Sequence, residues 1–161
     1  MVSIRRMQPG DAATVLAAFE SLSARSLRLR FFTQAPRLTE DVRAELVKVD
    51  PSTRTVLLAF DDETGDLLGG ARAVRIAGDP TAAEVAVTVG DAFQHHGLGG
   101  KLMRHLRHAA LDDGIERFVG HVMIDNLAAR QMLVAAGATC RLFEPGVLAF
   151  EIRLRRAPAA A

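Results

Sequence analysis

The sequence predicts a single α/β domain, a mixed sheet with helices on both faces. Three observations predict it. Strand-like and helix-like patterns follow one another in the order β-α-α-α-β-β-β-α-β-α-β-β. A hairpin pattern, two apolar runs around a turn, occupies the middle of the chain. One later strand runs through a Gly-rich loop directly into an amphipathic helix.

The elements are justified in order. Val2 and Ile4 alternate with polar neighbours, a first strand. Pro9-Gly10-Asp11 ends it and opens a helix from Ala12 to Leu22. Ser23 to Phe32 reads as a short second helix whose face of Arg25, Arg28 and Arg30 is most simply a wet one, with a substrate or CoA contact as the alternative. Thr39 is a good N-cap for a third helix, which must stop before Asp50-Pro51 because the residue before proline disfavours helical backbone. Thr53 to Phe60 and Leu67 to Ile76 are the hairpin strands, with Asp61 to Asp66 as their turn. Gly78-Asp79-Pro80 is the next turn, and Ala82 to Val89 the next strand.

From Gly97 to Asp113, Leu98, Leu102, Leu106 and Ala109 or Ala110 recur at helical spacing, and Gly114 is a stop. Arg117 to Val122 is a strand and Asn126 to Ala136 a helix ending at Gly137. The strands Ala138 to Phe143 and Val147 to Leu154 flank the turn Glu144-Pro145-Gly146. Cys140, just inside the first of these, is expected in the core. The domain spans residues 1–156, with an Ala/Pro-rich disordered tail at 157–161.

Composition narrows the function classes. At 161 residues, 49% of them hydrophobic and 24% charged, the chain has an ordinary globular balance. A formal net charge of +1 announces neither a nucleic-acid nor a membrane partner. No apolar run reaches the roughly 18 residues of a spanning helix, and the run from Ala12 to Phe19 meets Glu20 with no cleavage site. One cysteine forms no internal disulfide, which fits the cytoplasm.

The informative stretch runs from Glu84 to Leu102. Unpaired N–H groups at the start of a helix, with the positive end of its dipole, favour phosphate. Gly97, Gly99 and Gly100 let backbone approach a ligand. A Walker A loop fails twice, since His95 stands where its first glycine belongs and Leu102 follows Lys101. The dinucleotide fingerprint fails at Leu102, where its last glycine belongs.

A third pattern fits. Gln94-His95-His96-Gly97-Leu98-Gly99 matches Q/R-x-x-G-x-G/A, the pyrophosphate signature of the GNAT family of N-acetyltransferases, which this chain resembles over nearly its whole length. Asn126 to Ala138 is similar to that family's second helix motif, although Ala138 stands where an aromatic is usual. Ser23 to Phe32, with Ala83 to Val87, resembles bacterial protein-lysine acetyltransferases of the Pat type.

The resemblance implies the acyl-CoA N-acyltransferase fold, a mixed and mostly antiparallel sheet, and acetyl-CoA as cosubstrate. It implies that the strand before the loop splays from its neighbour and pairs with pantetheine near Val87 and Val89. The loop from Gln94 through His95, His96, Gly97, Leu98, Gly99 and Gly100 would hold the pyrophosphate, with Lys101 and Arg104 near the adenosine phosphates and Asn126 a further contact.

An alkyl ammonium with a pKa of about 10.4 must lose a proton before it attacks a thioester. Glu84, on the strand face it shares with the small residues Ala86 and Thr88, is the candidate general base, the role the resemblance also gives it. The resemblance implies a strand N–H near Val87 as the oxyanion donor. Many relatives protonate the leaving thiolate with a tyrosine of the second helix; this chain has no tyrosine, and Leu133 takes that position. A free thiol's pKa of about 8.5 lets solvent do it.

Plainer readings stand beside these. Glu84 can be a solvated strand residue, Lys101 and Arg104 a wet helix face, and Asn126 a cap. His105 and His108 lack companions of zinc-site spacing, so no metal is expected. The acceptor that the resemblance implies is a primary amine; the Pat-like segments favour a protein lysine, with a small amine or a peptide N-terminus as alternatives. A non-catalytic acyl-CoA-binding sensor is the other reading. Oligomeric state is not legible.

Overall fold

The computed structural model describes residues 1–32 and 37–156. The tail expected at 157–161 lies outside the described residues.

Seven strands form one sheet in the order β1-β2-β3-β4-β5-β7-β6. They are β1 (Val2–Arg6), β2 (Arg54–Asp61), β3 (Leu67–Ile76), β4 (Asp79–Val89), β5 (Arg117–Met123), β6 (Thr139–Glu144) and β7 (Val147–Arg153). Every pairing is antiparallel except β4 with β5. The helices are α1 (Ala12–Glu20), α2 (Ala24–Phe31), α3 (Glu40–Val47), α4 (Leu98–Asp112) and α5 (Leu127–Ala135). A 3-10 turn, Pro9–Asp11, precedes α1, and another, Asp91–Phe93, precedes α4.

Side chains alternate across the sheet. On one face Leu57, Ala71, Ala73, Val85, Phe118 and Ile152 meet Leu102, Leu106 and Leu133 from α4 and α5 in the main core. Leu102 and Leu106 are fully buried, each contributing about 1.5–3 kcal/mol. On the other face Leu58 joins Met7 and Val15, with Phe19 and Val47 packed against them from α1 and α3. Helices therefore cover both faces, as expected.

Local chemistry sets the boundaries. Ser23 accepts from the Ser26 N–H at 3.2 Å and caps α2, and Thr39 accepts from Val42 at 3.3 Å and caps α3. β4 starts earlier than the sequence predicts: Asp79 already pairs with Ile76, so Ala77 and Gly78 alone make the turn, with Gly78 at φ +85°.

One core expectation is corrected. Cys140 is exposed rather than buried. Its strand, β6, pairs only with β7 at the sheet edge, and all six of its residues are exposed. No helix among the described residues is long and apolar enough to cross a membrane.

Candidate active site

The site begins where two strands part. β4 pairs with β3 as far as Val89, but with β5 only over Ala82, Ala83 and Glu84. β5 meanwhile continues beside β7 to Met123. From Val85 to Val89 the edge of β4 facing β5 has no strand partner among the described residues, which opens a wedge with Glu84 opposite Val119 at its vertex. Val87 and Val89 lie along the open edge.

The loop at the wide end is held from inside. Asp91 accepts from the Ser23 N–H at 2.8 Å, the Ser23 hydroxyl at 2.9 Å and the Ser26 hydroxyl at 2.6 Å. The Gln94 amide donates to the Val89 carbonyl and to Ser26 Oγ, each at 3.1 Å. Burial works to raise the Asp91 pKa, but the bonds from Ser26 and Ser23 outweigh it and hold the carboxyl below its usual range. At the other end of α2, Arg28 reaches Asp125 at 2.9 Å. The second helix thus ties the β4–α4 loop to the β5–α5 loop across the mouth of the wedge. The sequence marked Ser23 as a helix start but carried no sign of its partner 68 residues on.

Beyond Gln94 the loop turns outward through two left-handed residues, His95 at φ +63° and Gly97 at φ +80°. The first bond of α4 runs from the Lys101 N–H to the Gly97 carbonyl at 3.1 Å, so the N–H groups ahead of it face out of the helix end. His95 and His96 are exposed, while the Leu98 side chain is buried and anchors the turn. A Cβ on Gly99 would stand 3.3 Å from Met132 Sδ and 3.9 Å from Val89 Cγ2. That glycine permits close approach of α4, α5 and β4 at the wedge. Gly100 has only the Arg104 guanidinium near it, 3.7 Å from its missing Cβ.

Lys101 and Asn126, both expected beside the cosubstrate, use their side chains within the protein. The Lys101 ammonium donates to the Val2 carbonyl at 3.1 Å, against β1 rather than toward the loop. Arg104 is the cation folded over the first turn of α4. Asn126 Oδ1 accepts from the Ala129 N–H at 3.2 Å and caps α5. Among the described residues no three His, Cys, Asp or Glu side chains converge as metal ligands. A surface cavity of about 730 Å³ is bordered by Thr81, Arg117 and Arg153 at the opposite end of β4 from the loop. It is open and remote from the wedge, so the splay and loop are the better candidate.

Glu84 is exposed and shares its face of the sheet with Arg72 of β3, which stands opposite Ala86. Arg30 of α2 is close enough to feel both. The chemistry available is thus an anion cradle, an open strand edge beside it, and a carboxylate at the vertex.

Residues 20–138, well over half of the chain, match the Acetyltransferase (GNAT) family. The chain belongs to that family. Membership gives the class of chemistry, acetyl-CoA-dependent N-acetylation. The GNAT domain is similar to "Acetyltransferase Pat" of Mycolicibacterium smegmatis, 32% identical over 92% of this chain and 44% of the relative's length. The chain therefore spans less than half of that curated relative. Among solved structures it resembles the GNAT domain of Streptomyces lividans PAT ("S. lividans PAT"), TM-score 0.85 and 31% identity over 95% of this chain and 90% of that one. A "cAMP-binding acyltransferase" from Mycobacterium smegmatis aligns with TM-score 0.65 and 27% identity over 96% of this chain and 44% of that one. The yncA protein of Salmonella typhimurium, solved with acetyl-CoA, shares the fold at 19% identity, with a TM-score of 0.77 over 100% of this chain and 98% of that one.

Proposed function

We propose that this GNAT domain moves the acetyl group of acetyl-CoA to a protein lysine, with Glu84 as general base. The observation that carries the reading is the end of β4–β5 pairing at Glu84, which sets a carboxylate at the point of an open wedge.

Acetyl-CoA supplies an activated acyl group and a thiolate leaving group. The chain's own residues do the rest. The loop N–H groups from His95 to Gly100 hold the pyrophosphate by fixed dipoles, while Gln94 acts by bracing the loop from within. The free edge of β4 at Val87 and Val89 receives the pantetheine amides as a strand would, and an N–H there steadies charge on the thioester oxygen. Glu84 takes the proton of the acceptor ammonium, directly or through water. The amine then forms the C–N bond as the C–S bond breaks, and the thiolate takes its proton from solvent.

The similarity to the Pat relatives supports lysine over a small amine. A cytoplasmic setting belongs to the same proposal, since the single cysteine is a free thiol.

Glu84→Gln tests the role of the carboxylate. The variant should bind acetyl-CoA as the wild type does, while kcat falls by about 10²–10⁴ and its rise with pH flattens. Unchanged turnover would remove Glu84 from the mechanism and leave the fold and cosubstrate assignments standing.

A further inference from the structure

Three arginines gather on the sheet face that carries Glu84. Arg54 of β2 is buried and pairs with the Glu45 carboxylate at 3.1 Å. Among the described residues, Arg72 of β3 reaches only the Glu45 carbonyl, at 3.5 Å. Arg30, at the end of α2, has no carboxylate within ion-pair distance among the described residues, and its Nε is buried without an acceptor. Arg54 Nε is buried without one too. Glu45 and Glu84 are the acidic groups that act on Arg72, and Glu84 the one that acts on Arg30.

The cluster is under-neutralised, with Arg54 buried and Arg30 and Arg72 partly buried. Burial first, then the like charge of Arg72, pushes the Arg30 pKa down to about 10. Burial and then Arg54 push Arg72 down as well. At about 10 the Arg30 guanidinium keeps its proton near neutral pH, so deprotonation gives no relief. Apolar side chains of similar size would fill these positions without that cost. A bound anion relieves it, and guanidinium forks suit a carboxylate.

The register says which anion. Arg72 stands opposite Ala86 and Glu84 opposite Val74, so Arg72 and Glu84 are diagonal neighbours, roughly 7–8 Å apart at the backbone. An acceptor with its ammonium at Glu84 brings a group beside that ammonium to Arg72 and Arg30. We propose that Arg30 and Arg72 seat a carboxylate of the acceptor, so that the preferred substrate is a lysine with an acidic residue beside it. The proposal rests on the reading of Glu84 as the place where the amine is received.

Four acceptors test it: a lysine peptide flanked by Glu, the same peptide with Gln, free lysine, and lysinamide. Each is titrated calorimetrically and assayed for CoA release with wild type, Arg72→Gln and Arg30→Met, and with Arg25→Gln as an exposed control. The wild type should prefer the Glu peptide over the Gln peptide by about tenfold or more, in affinity and in kcat/KM, the scale of one charge-assisted hydrogen bond. The preference should shrink to about twofold in either cluster variant and persist in the control, with acetyl-CoA affinity unchanged throughout. Discrimination of lysine from lysinamide alone would keep the carboxylate seat but assign it to a free amino acid, overturning the peptide assignment. Equal treatment of both matched pairs, or a preference that survives Arg72→Gln and Arg30→Met, would overturn the seat. Absence of CoA release with every amine would count against the catalytic reading, while the binding titrations would still decide the seat.

Discussion

Glu84 faces Val119 across the last rung that β4 shares with β5. One residue further along β5, Gly120 lies where the strands begin to part. A Cβ there would stand 2.6 Å from Phe150 Cζ and 3.2 Å from the Val85 carbonyl oxygen. The vertex of the wedge is therefore set by a glycine beneath an aromatic ring. Gly120→Ala should force Phe150 aside, lower stability by about 1–3 kcal/mol and weaken acetyl-CoA binding. Thermal unfolding and titration check both. An alanine that leaves both unchanged would show that the vertex does not depend on this contact.

The loop glycines should differ in their responses. Gly97 has open space around its missing Cβ but sits at φ +80°, so Gly97→Ala should cost about 1 kcal/mol through backbone strain alone. Gly99→Val should narrow the gap toward Met132 and lower acetyl-CoA affinity with a smaller loss of stability. Comparing Tm and Kd for the two variants separates the roles.

Asp91 should govern how firmly α2 is held. Its folded pKa is depressed, so its contribution is fully present above the ordinary carboxyl value of about 3.9 and is lost as pH falls through the lower folded value. Hydrogen exchange should show protection at the amides of α2 at neutral pH, weakening in acid. In Asp91→Asn the protection should already be reduced at neutral pH and depend less on acid. Equal protection in the two proteins would dismiss the latch.

Much of this was legible beforehand, for physical reasons. The β4–loop–α4 unit carries a strand pattern, loop glycines and a strong helical spacing within one short stretch, so local signals agree. Element order and type followed from the same signals. The early start of β4 was hidden by Pro80, which reads as a turn residue but is the second residue of a strand here. Cys140 misled because an apolar residue in a strand says nothing about whether that strand lies at the edge. The Asp91–Ser23 latch, the turning of Lys101 to Val2, and the gathering of Arg30, Arg54 and Arg72 all join residues far apart in sequence. No spacing rule reaches them.

Leu133 allows a test of the missing tyrosine. It is 2% exposed and belongs to the main core. Leu133→Tyr should therefore overpack the core, costing about 1–3 kcal/mol, without raising kcat. A stable variant with faster turnover would show that this position can deliver a proton to the leaving thiolate.

The central claim is that the wedge and loop receive acetyl-CoA for transfer to an amine. Calorimetric titration of acetyl-CoA into the wild type and Gly97→Glu, followed by CoA release with a lysine peptide, tests it most directly. The account predicts saturable binding and release by the wild type, with binding abolished in Gly97→Glu because bulk and negative charge then meet the phosphates. Absence of binding by the wild type, or undiminished binding by Gly97→Glu, would contradict it.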